Sequence, residues 1–238
     1  MTERTSDSLE RTETSWELGG TRLEWSDGVL SVTFDERTRP FFQRMPRRLR
    51  GRITLTSGGA AGSERALDAS GAHVWRPVAP AARASVEIDG GPSFEGPAYC
   101  DENAGHEGLE AAFRGWDWSR METSDGTAVL YDVETRDGER VQWGRLFTRE
   151  GEEREFSPEH RVALGSAGWG VPRSTRASRR GGARAIRAMV SAPFYSRSLI
   201  EVEHNGEACL AVHERLDMDR FESRWVRFLL PWRIRKER

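Results

Sequence analysis

Several common signatures are scarce in this 238-residue chain. Lysine is almost missing: Lys236 stands alone, and arginine supplies the other basic side chains, a bias that fits a GC-rich genome. Cysteine occurs twice, at Cys100 and Cys209. Two thiols make no disulfide framework and fit a reducing compartment. No run approaches the ~20 apolar residues that a membrane-spanning helix needs. The first fifteen residues lack the apolar core of a secretory signal. These absences predict a cytoplasmic protein, at most peripheral to the inner membrane. Basic and acidic side chains nearly balance, 36 against 38, which excludes a general nucleic-acid binder. The five histidines, at 73, 106, 160, 204 and 213, show no metal-ligand spacing, so no metal site is expected. There is no glycine-rich dinucleotide or phosphate loop and no nucleophile elbow. The pattern therefore calls for no cofactor.

What the chain does have is tryptophan, nine residues spread from Trp16 to Trp232. Such a supply suits a β-rich core or an aromatic-lined pocket for a greasy ligand. Alternating apolar and polar residues recur in short runs. Thr21 to Trp25 and Val29 to Phe34 flank Asp27-Gly28, an Asp-Gly hairpin signal. Thr127 to Glu134 and Glu139 to Arg149 flank Arg136-Asp137-Gly138, and Ser198 to Glu203 and Ala208 to His213 flank Asn205-Gly206. Helix signals are few: one short turn over Gly108 to Arg114. Gly181-Gly182 breaks the stretch Arg173 to Met189 into two strands and a turn. The fold class read from this is all-β and antiparallel, a barrel or sandwich with little helix. Residues 1–15 read as a disordered polar arm, 16–150 as an N-terminal β half carrying the site, and 151–238 as a C-terminal β half.

The chemistry-bearing residues crowd between His73 and Arg120. On a strand, residues two apart share a face. His73 and Trp75 form one such pair, Tyr99 and Asp101 another, and Trp116, Trp118 and Arg120 a third set. If these faces line one interior, an acid, an imidazole, a phenol and indoles converge in an apolar cavity. Spacing leaves plainer roles open for each. Asp101 could bond backbone amides in a turn, His73 could be structural, Arg120 could be an ion-pair partner, and the aromatic rings could be core.

The same stretches resemble the carotenoid 1,2-hydratase family, along most of the chain. His73-Val74-Trp75-Arg76-Pro77-Val78-Ala79-Pro80 is similar to the family's His-x-Trp-Arg-Pro-x-Ala-Pro motif. Gly96 to Gly105 resembles Gly-x-x-Tyr-x-Asp-x-Asn-x-Gly, and Leu109 to Arg120 the Trp-x-Trp-x-Arg block. Ala192 to Arg197, His213-Glu214, Asp219-Arg220-Phe221 and the segment from Trp225 continue the match in order. The resemblance implies a lipocalin-like fold and cofactor-independent hydration of the terminal double bond of an acyclic carotenoid such as neurosporene or lycopene. It implies catalytic roles for Asp101, His73, Trp75 and Tyr99. Phe113, Trp116 and Trp118 are then expected to line the substrate site. In that scheme Asp101, kept neutral by apolar surroundings, protonates the alkene. Aromatic faces at Trp75 and Tyr99 stabilise the tertiary carbocation, and His73 orients Asp101 or takes the proton from the added water. Two other readings share the fold: a non-catalytic carrier of a hydrophobic ligand, and a polyene or isoprenoid cyclase. The carotenoid partner is a membrane molecule. The C-terminal stretch Trp225 to Lys236, mixing aromatic, aliphatic and basic residues, is expected either to close a sheet as a β-strand with a basic tail or to touch anionic lipid.

Overall fold

The computed structural model describes residues 2–3, 9–38, 47–59, 61–233 and 235–236. Two-residue strands β1 (Thr2–Glu3) and β19 (Arg235–Lys236) pair in parallel. An eight-stranded sheet runs in the order β2 (Leu9–Arg11), β3 (Ser15–Leu18), β4 (Thr21–Ser26), β5 (Val29–Thr38), β6 (Arg47–Ser57), β8 (His73–Ile88), β7 (Arg65–Ala66), and β9 (Ser93–Gly105) also pairs β8. A seven-stranded sheet is built from β10 (Phe113–Glu122), β11 (Gly126–Thr135), β12 (Arg140–Thr148), β13 (Glu153–Glu155), β16 (Ala183–Ser191), β17 (Tyr195–His204) and β18 (Glu207–Asp217). Its order is β13-β12-β11-β10-β18-β17-β16. Strands β14 (His160–Ser166) and β15 (Pro172–Ala177) form a separate antiparallel ribbon.

The turns act as their residues require. Asp27 and Gly28 both take positive φ, 51° and 77°, as do Asn205 and Gly206 at 50° and 84°. Two successive positive-φ residues match the right-handed twist of the strands they join. The hairpins β4–β5, β11–β12 and β17–β18 therefore stand where the sequence predicts them. Ser178 to Gly182 is the turn between β15 and β16. The fold is all-β and antiparallel in both large sheets. It is not a closed barrel: among the described residues β13 and β16 end the seven-stranded sheet without pairing each other. A three-residue edge such as β13 offers too few ladder bonds to close a sheet.

Two compact units emerge, one from the described residues of 1–60, 79–100 and 231–238, the other from those of 61–78 and 101–230. Within the second unit, β10 ladders with both β11 and β18 and ties chain from both sides of residue 150 into one sheet. Within the expected arm, residues 1 and 4–8 lie outside the described residues, whereas Leu9–Arg11 is a strand held by backbone pairing to β3. The first unit packs Leu55, Ala79 and Ala82 with Trp25, Leu30 and Ala84. The second packs one face of its sheet, including Met121, Leu130 and Ile200, against Val162, Leu164 and Ala177 of the ribbon.

Helix is confined to α1 (Leu109–Ala112), α2 (Met218–Glu222) and α3 (Arg224–Arg233). Asp217 caps α2 by accepting from the backbone N–H of Arg220 at 3.0 Å. The expectation of a closing strand over the C-terminal stretch is corrected by α3. Trp225-Val226 and Phe228-Leu229-Leu230 do not alternate, and Val226, Leu229 and Leu230 fall three and four apart, a helical stripe. Val226 is fully buried while Phe228 is 69% exposed.

Candidate active site

In the second unit, the face of the seven-stranded sheet opposite the ribbon carries the aromatic groups. Cross-strand register puts Trp143 on β12 beside Tyr131 on β11, Tyr131 beside Trp118 on β10, Trp118 beside Glu214 on β18, and Glu214 beside Arg197 on β17. The five side chains form one rung, each a single strand spacing from the next. Alternation along the strands adds Arg145, Val129, Arg120 and Val212 on the next rung of the same face.

Trp75 meets this face. It lies on the start of β8, where the alternation His73, Trp75, Pro77 is buried. Its ring is 4.8 Å from that of Trp143, 6.0 Å from Tyr131 and 6.4 Å from Phe147. Its indole Nε1–H donates to Oδ2 of Asp101 at 2.8 Å. A carboxyl group is thus fixed by an indole at the edge of a cluster of rings. Tyr131 donates its hydroxyl to Oδ1 of Asn103 at 3.4 Å. Burial pushes the Tyr131 phenol well above its usual range, and the nearby charges of Asp101 and then Glu214 push it the same way. Tyr131 therefore stays a neutral hydroxyl at any working pH. The Nε1–H of Trp143 is buried with no hydrogen-bond partner among the described residues, a donor that a bound water or hydroxyl would satisfy.

The structure brings Trp75 and Asp101 together and turns His73 elsewhere. His73 is 2% exposed. Its Nδ1 faces Oδ2 of Asp68 at 2.9 Å and its Nε2–H donates to the carbonyl of Glu107 at 3.2 Å. Both ring nitrogens are engaged, so His73 ties the 68–73 loop to the 105–108 turn rather than pointing at Asp101. Asp68 also accepts from the backbone N–H groups of Ala72 and His73. Burial raises its carboxyl, but the bonds from Ser70, His73 and the backbone outweigh that and bring it down to about 2. Gly105 closes the same corner: a Cβ there would lie 2.4 Å from Cδ2 of His73, which explains a glycine at the end of the Tyr99 to Gly105 motif.

Of the expected lining residues, Phe113 is fully buried and stacks edge-on to His73 at 4.7 Å and to Trp116 at 5.5 Å. Trp118 lies on the central rung, its ring 6.5 Å from Tyr131. Tyr99 is half-buried on β9 and belongs to the first unit. Sequence reasoning missed Tyr131, Trp143, Phe147 and Glu214. Two of these were within reach: Tyr131 and Trp143 are equidistant from Asp137 at the centre of their hairpin turn, so that turn already sets them opposite. Among the described residues no three His, Cys, Asp or Glu side chains are grouped to hold a metal ion. Clefts of about 530 Å³, beside Arg114, Asp217 and Trp225, and about 170 Å³, beside Asp132, Arg140 and Arg176, are not lined by Asp101.

A second polar group is buried on the ribbon side of the same sheet. Asp117 is 5% exposed and accepts from Ser174 Oγ at 2.8 Å, with Nε2 of His213 at 3.2 Å and Arg215 at 3.3 Å. Burial works to raise its carboxyl, yet the partners, His213 first and then Arg215, bring it below the usual range.

Comparison with known proteins adds an independent finding. The family model for the carotenoid hydratase CrtC matches residues 1–238. The acyclic carotenoid 1,2-hydratase of Thiocapsa roseopersicina is 38% identical over 237 residues, covering 98% of this chain and 57% of that protein. That of Cereibacter sphaeroides is 35% identical over 234 residues, covering 98% of this chain and 83% of that protein. The chain thus spans little more than half the length of the first relative. Among solved structures, an AttH-like protein of Nitrosomonas europaea aligns with a TM-score of 0.61 at 14% identity, over 90% of this chain and 73% of that one. CghA, in a structure with Sch210972, aligns with a TM-score of 0.53 at 12% identity, over 88% and 69%. These two likenesses speak for the lipocalin-like β fold alone.

Proposed function

Because the chain belongs to the carotenoid hydratase CrtC family, we propose that it adds water to the terminal 1,2 double bond of an acyclic carotenoid. The observation that carries this reading is the Trp75–Asp101 pair set against the rings of Trp143, Tyr131 and Phe147. Hydrating an isolated alkene begins with protonation, and Asp101 is the acid. Its proton goes to the less substituted carbon C2, and the positive charge falls on the tertiary carbon C1. Ring faces of Trp75, Trp143 and Tyr131 are suited to stabilise that cation. Water attacks C1 and its extra proton leaves to a base. Trp75, by holding Oδ2, sets the direction of the carboxyl, and His73, through Asp68 and Glu107, holds the loop and turn on either side of the strands that carry Trp75 and Asp101. No step calls for a cofactor. A non-catalytic carrier would have no use for a carboxyl oriented in this way.

The substrate resides in membranes, and among the described residues no helix is long and apolar enough to cross one. We propose peripheral contact with anionic lipid from the cytoplasmic side, through α3. Phe228 and Trp225 are 69% and 45% exposed, Trp169 stacks on Trp225 at 6.3 Å, and Arg224 and Arg227 flank them. Exposed rings beside cationic groups are what an interfacial segment needs.

Expression in a host accumulating lycopene or neurosporene, with the pigments separated and weighed by mass spectrometry, tests the reaction. The expected product is heavier by one water and is absent with Asp101→Asn, which should fold. A new product of unchanged mass would instead mark a cyclase, and no new product would remove the hydratase reading.

A further inference from the structure

Hydration by the route above needs an acid and a base, and Asp101 supplies only the first. We propose that Glu214 is the base, resting on the hydratase reading: its carboxylate takes the proton from the water that attacks the carbocation. The bonds balance as follows. The O–H of Asp101 breaks as the C2–H bond forms, leaving the Asp101 carboxylate and a cation at C1. A water oxygen then bonds to C1 while one of its O–H bonds gives up its proton to Glu214. Glu214 is 19% exposed at its side chain, so that proton leaves to solvent, and Asp101 is recharged from water. The net reaction is alkene plus water to tertiary alcohol.

Three observations place Glu214 in this role. First, it lies on the aromatic rung, beside Trp118 and two strands from Tyr131, about 10 Å along the sheet. Second, the charge of Glu214 on β18 contributes to raising the Tyr131 phenol, whose hydroxyl donates to Asn103 on β9, two residues from Asp101. Third, its ion pair is unlike a plain structural one. Across the other edge of β17, Arg184 of β16 grips Glu201 with a fork, Nε to Oε1 at 2.8 Å and a second nitrogen to Oε2 at 2.9 Å. Arg197 instead directs both nitrogens at Oε1 of Glu214, the Nε contact being 2.7 Å. Arg197 thus engages Glu214 through the one oxygen Oε1. An anion so placed both attracts the developing cation and accepts a proton.

Purified protein is incubated with lycopene in detergent micelles in D2O, and both product and recovered lycopene are analysed for deuterium. Wild type should give the hydrated product carrying deuterium at C2. Glu214→Gln, checked for folding by circular dichroism, should lose about 100-fold or more of the hydrated product, the usual contribution of a general base. Protonation by Asp101 survives in that variant, so the cation returns its proton and recovered lycopene gains deuterium at its terminal alkene carbon. Asp101→Asn should show neither product nor exchange, Glu214→Asp should restore part of the hydration, and Glu201→Gln should behave as wild type. Wild-type hydration by Glu214→Gln overturns the assignment. So does a folded Glu214→Gln that loses exchange together with hydration, since the residue would then act before or during protonation. Absence of product from wild type would overturn the hydratase reading itself.

Discussion

At Trp75 one side chain does two things that the proposed chemistry needs together. Its ring packs on Trp143 and Tyr131, and its N–H holds Asp101. Trp75→Phe separates the two. The ring face stays, the donor goes, and a small void opens. Stability should fall by about 1–2 kcal/mol, for one hydrogen bond and slight loss of packing, measured by denaturant unfolding. Hydration should fall more than stability implies, by about 10-fold or more, because the carboxyl loses its direction. Equal hydration by the variant would show that the indole N–H is not what orients Asp101. His73 is the contrasting residue: it shares the buried face of β8 with Trp75, yet its bonds run to Asp68 and Glu107. Sharing a strand face with a catalytic candidate did not give it the same target.

Among the elements, the strands follow local rules and the C-terminal helix does not follow the expected one. Gly144 shows how tightly the strands are placed: a Cβ there would come 2.0 Å from the carbonyl oxygen of Phe156, so β12 passes the following segment at glycine distance. In α3, the buried Val226 anchors one side while Trp225 and Phe228 stand out. Replacing both exposed rings, Trp225→Ser with Phe228→Ser, should lower the melting temperature only slightly, since Phe228 is 69% exposed and Trp225 gives up its stacking on Trp169 alone among the rings. Cosedimentation with phosphatidylglycerol-containing vesicles should drop several-fold, because each ring lost removes apolar area from the lipid boundary. Unchanged vesicle binding would take α3 out of the membrane contact.

For the whole molecule, acid is the expected weak point. Asp68 sits at about 2 in the folded chain and Asp117 is also depressed, while unfolded aspartate titrates near 3.9. A group held lower in the folded state contributes stability that is fully present above the unfolded value. That contribution is lost as pH falls from ~4 toward the folded value, near 2 for Asp68. Denaturant midpoints should therefore hold steady near neutrality and drop below pH ~4. Asp117→Asn should cost about 3–5 kcal/mol at pH 7, because it leaves the Arg215 guanidinium without its carboxylate in a largely buried site. The gap to wild type should narrow as pH falls below the ordinary aspartate value toward the depressed folded value of Asp117, where the native carboxylate itself protonates. A gap of constant size across that range would mean that the charge of Asp117 is not what matters.

The sequence by itself determined the all-β class, three hairpins and their turns, and the motif residues that end up together, Trp75 and Asp101. These are local: positive-φ turn residues and alternation act over a few residues, and a hairpin register follows from its turn. The same rule set Tyr131 opposite Trp143 and Arg197 opposite Glu214. Only the tertiary structure decided that β10 lies between β11 and β18, which puts Trp118 beside Glu214 and joins two hairpins into one rung. It also decided that the ends of that sheet stay apart, that His73 turns to Asp68, and that the C-terminal apolar run coils into α3. Each of these depends on partners distant in the chain, whose contacts no local spacing encodes. That is why the pairs within each hairpin were legible beforehand, and the joining of Tyr131 and Glu214 through Trp118 was not.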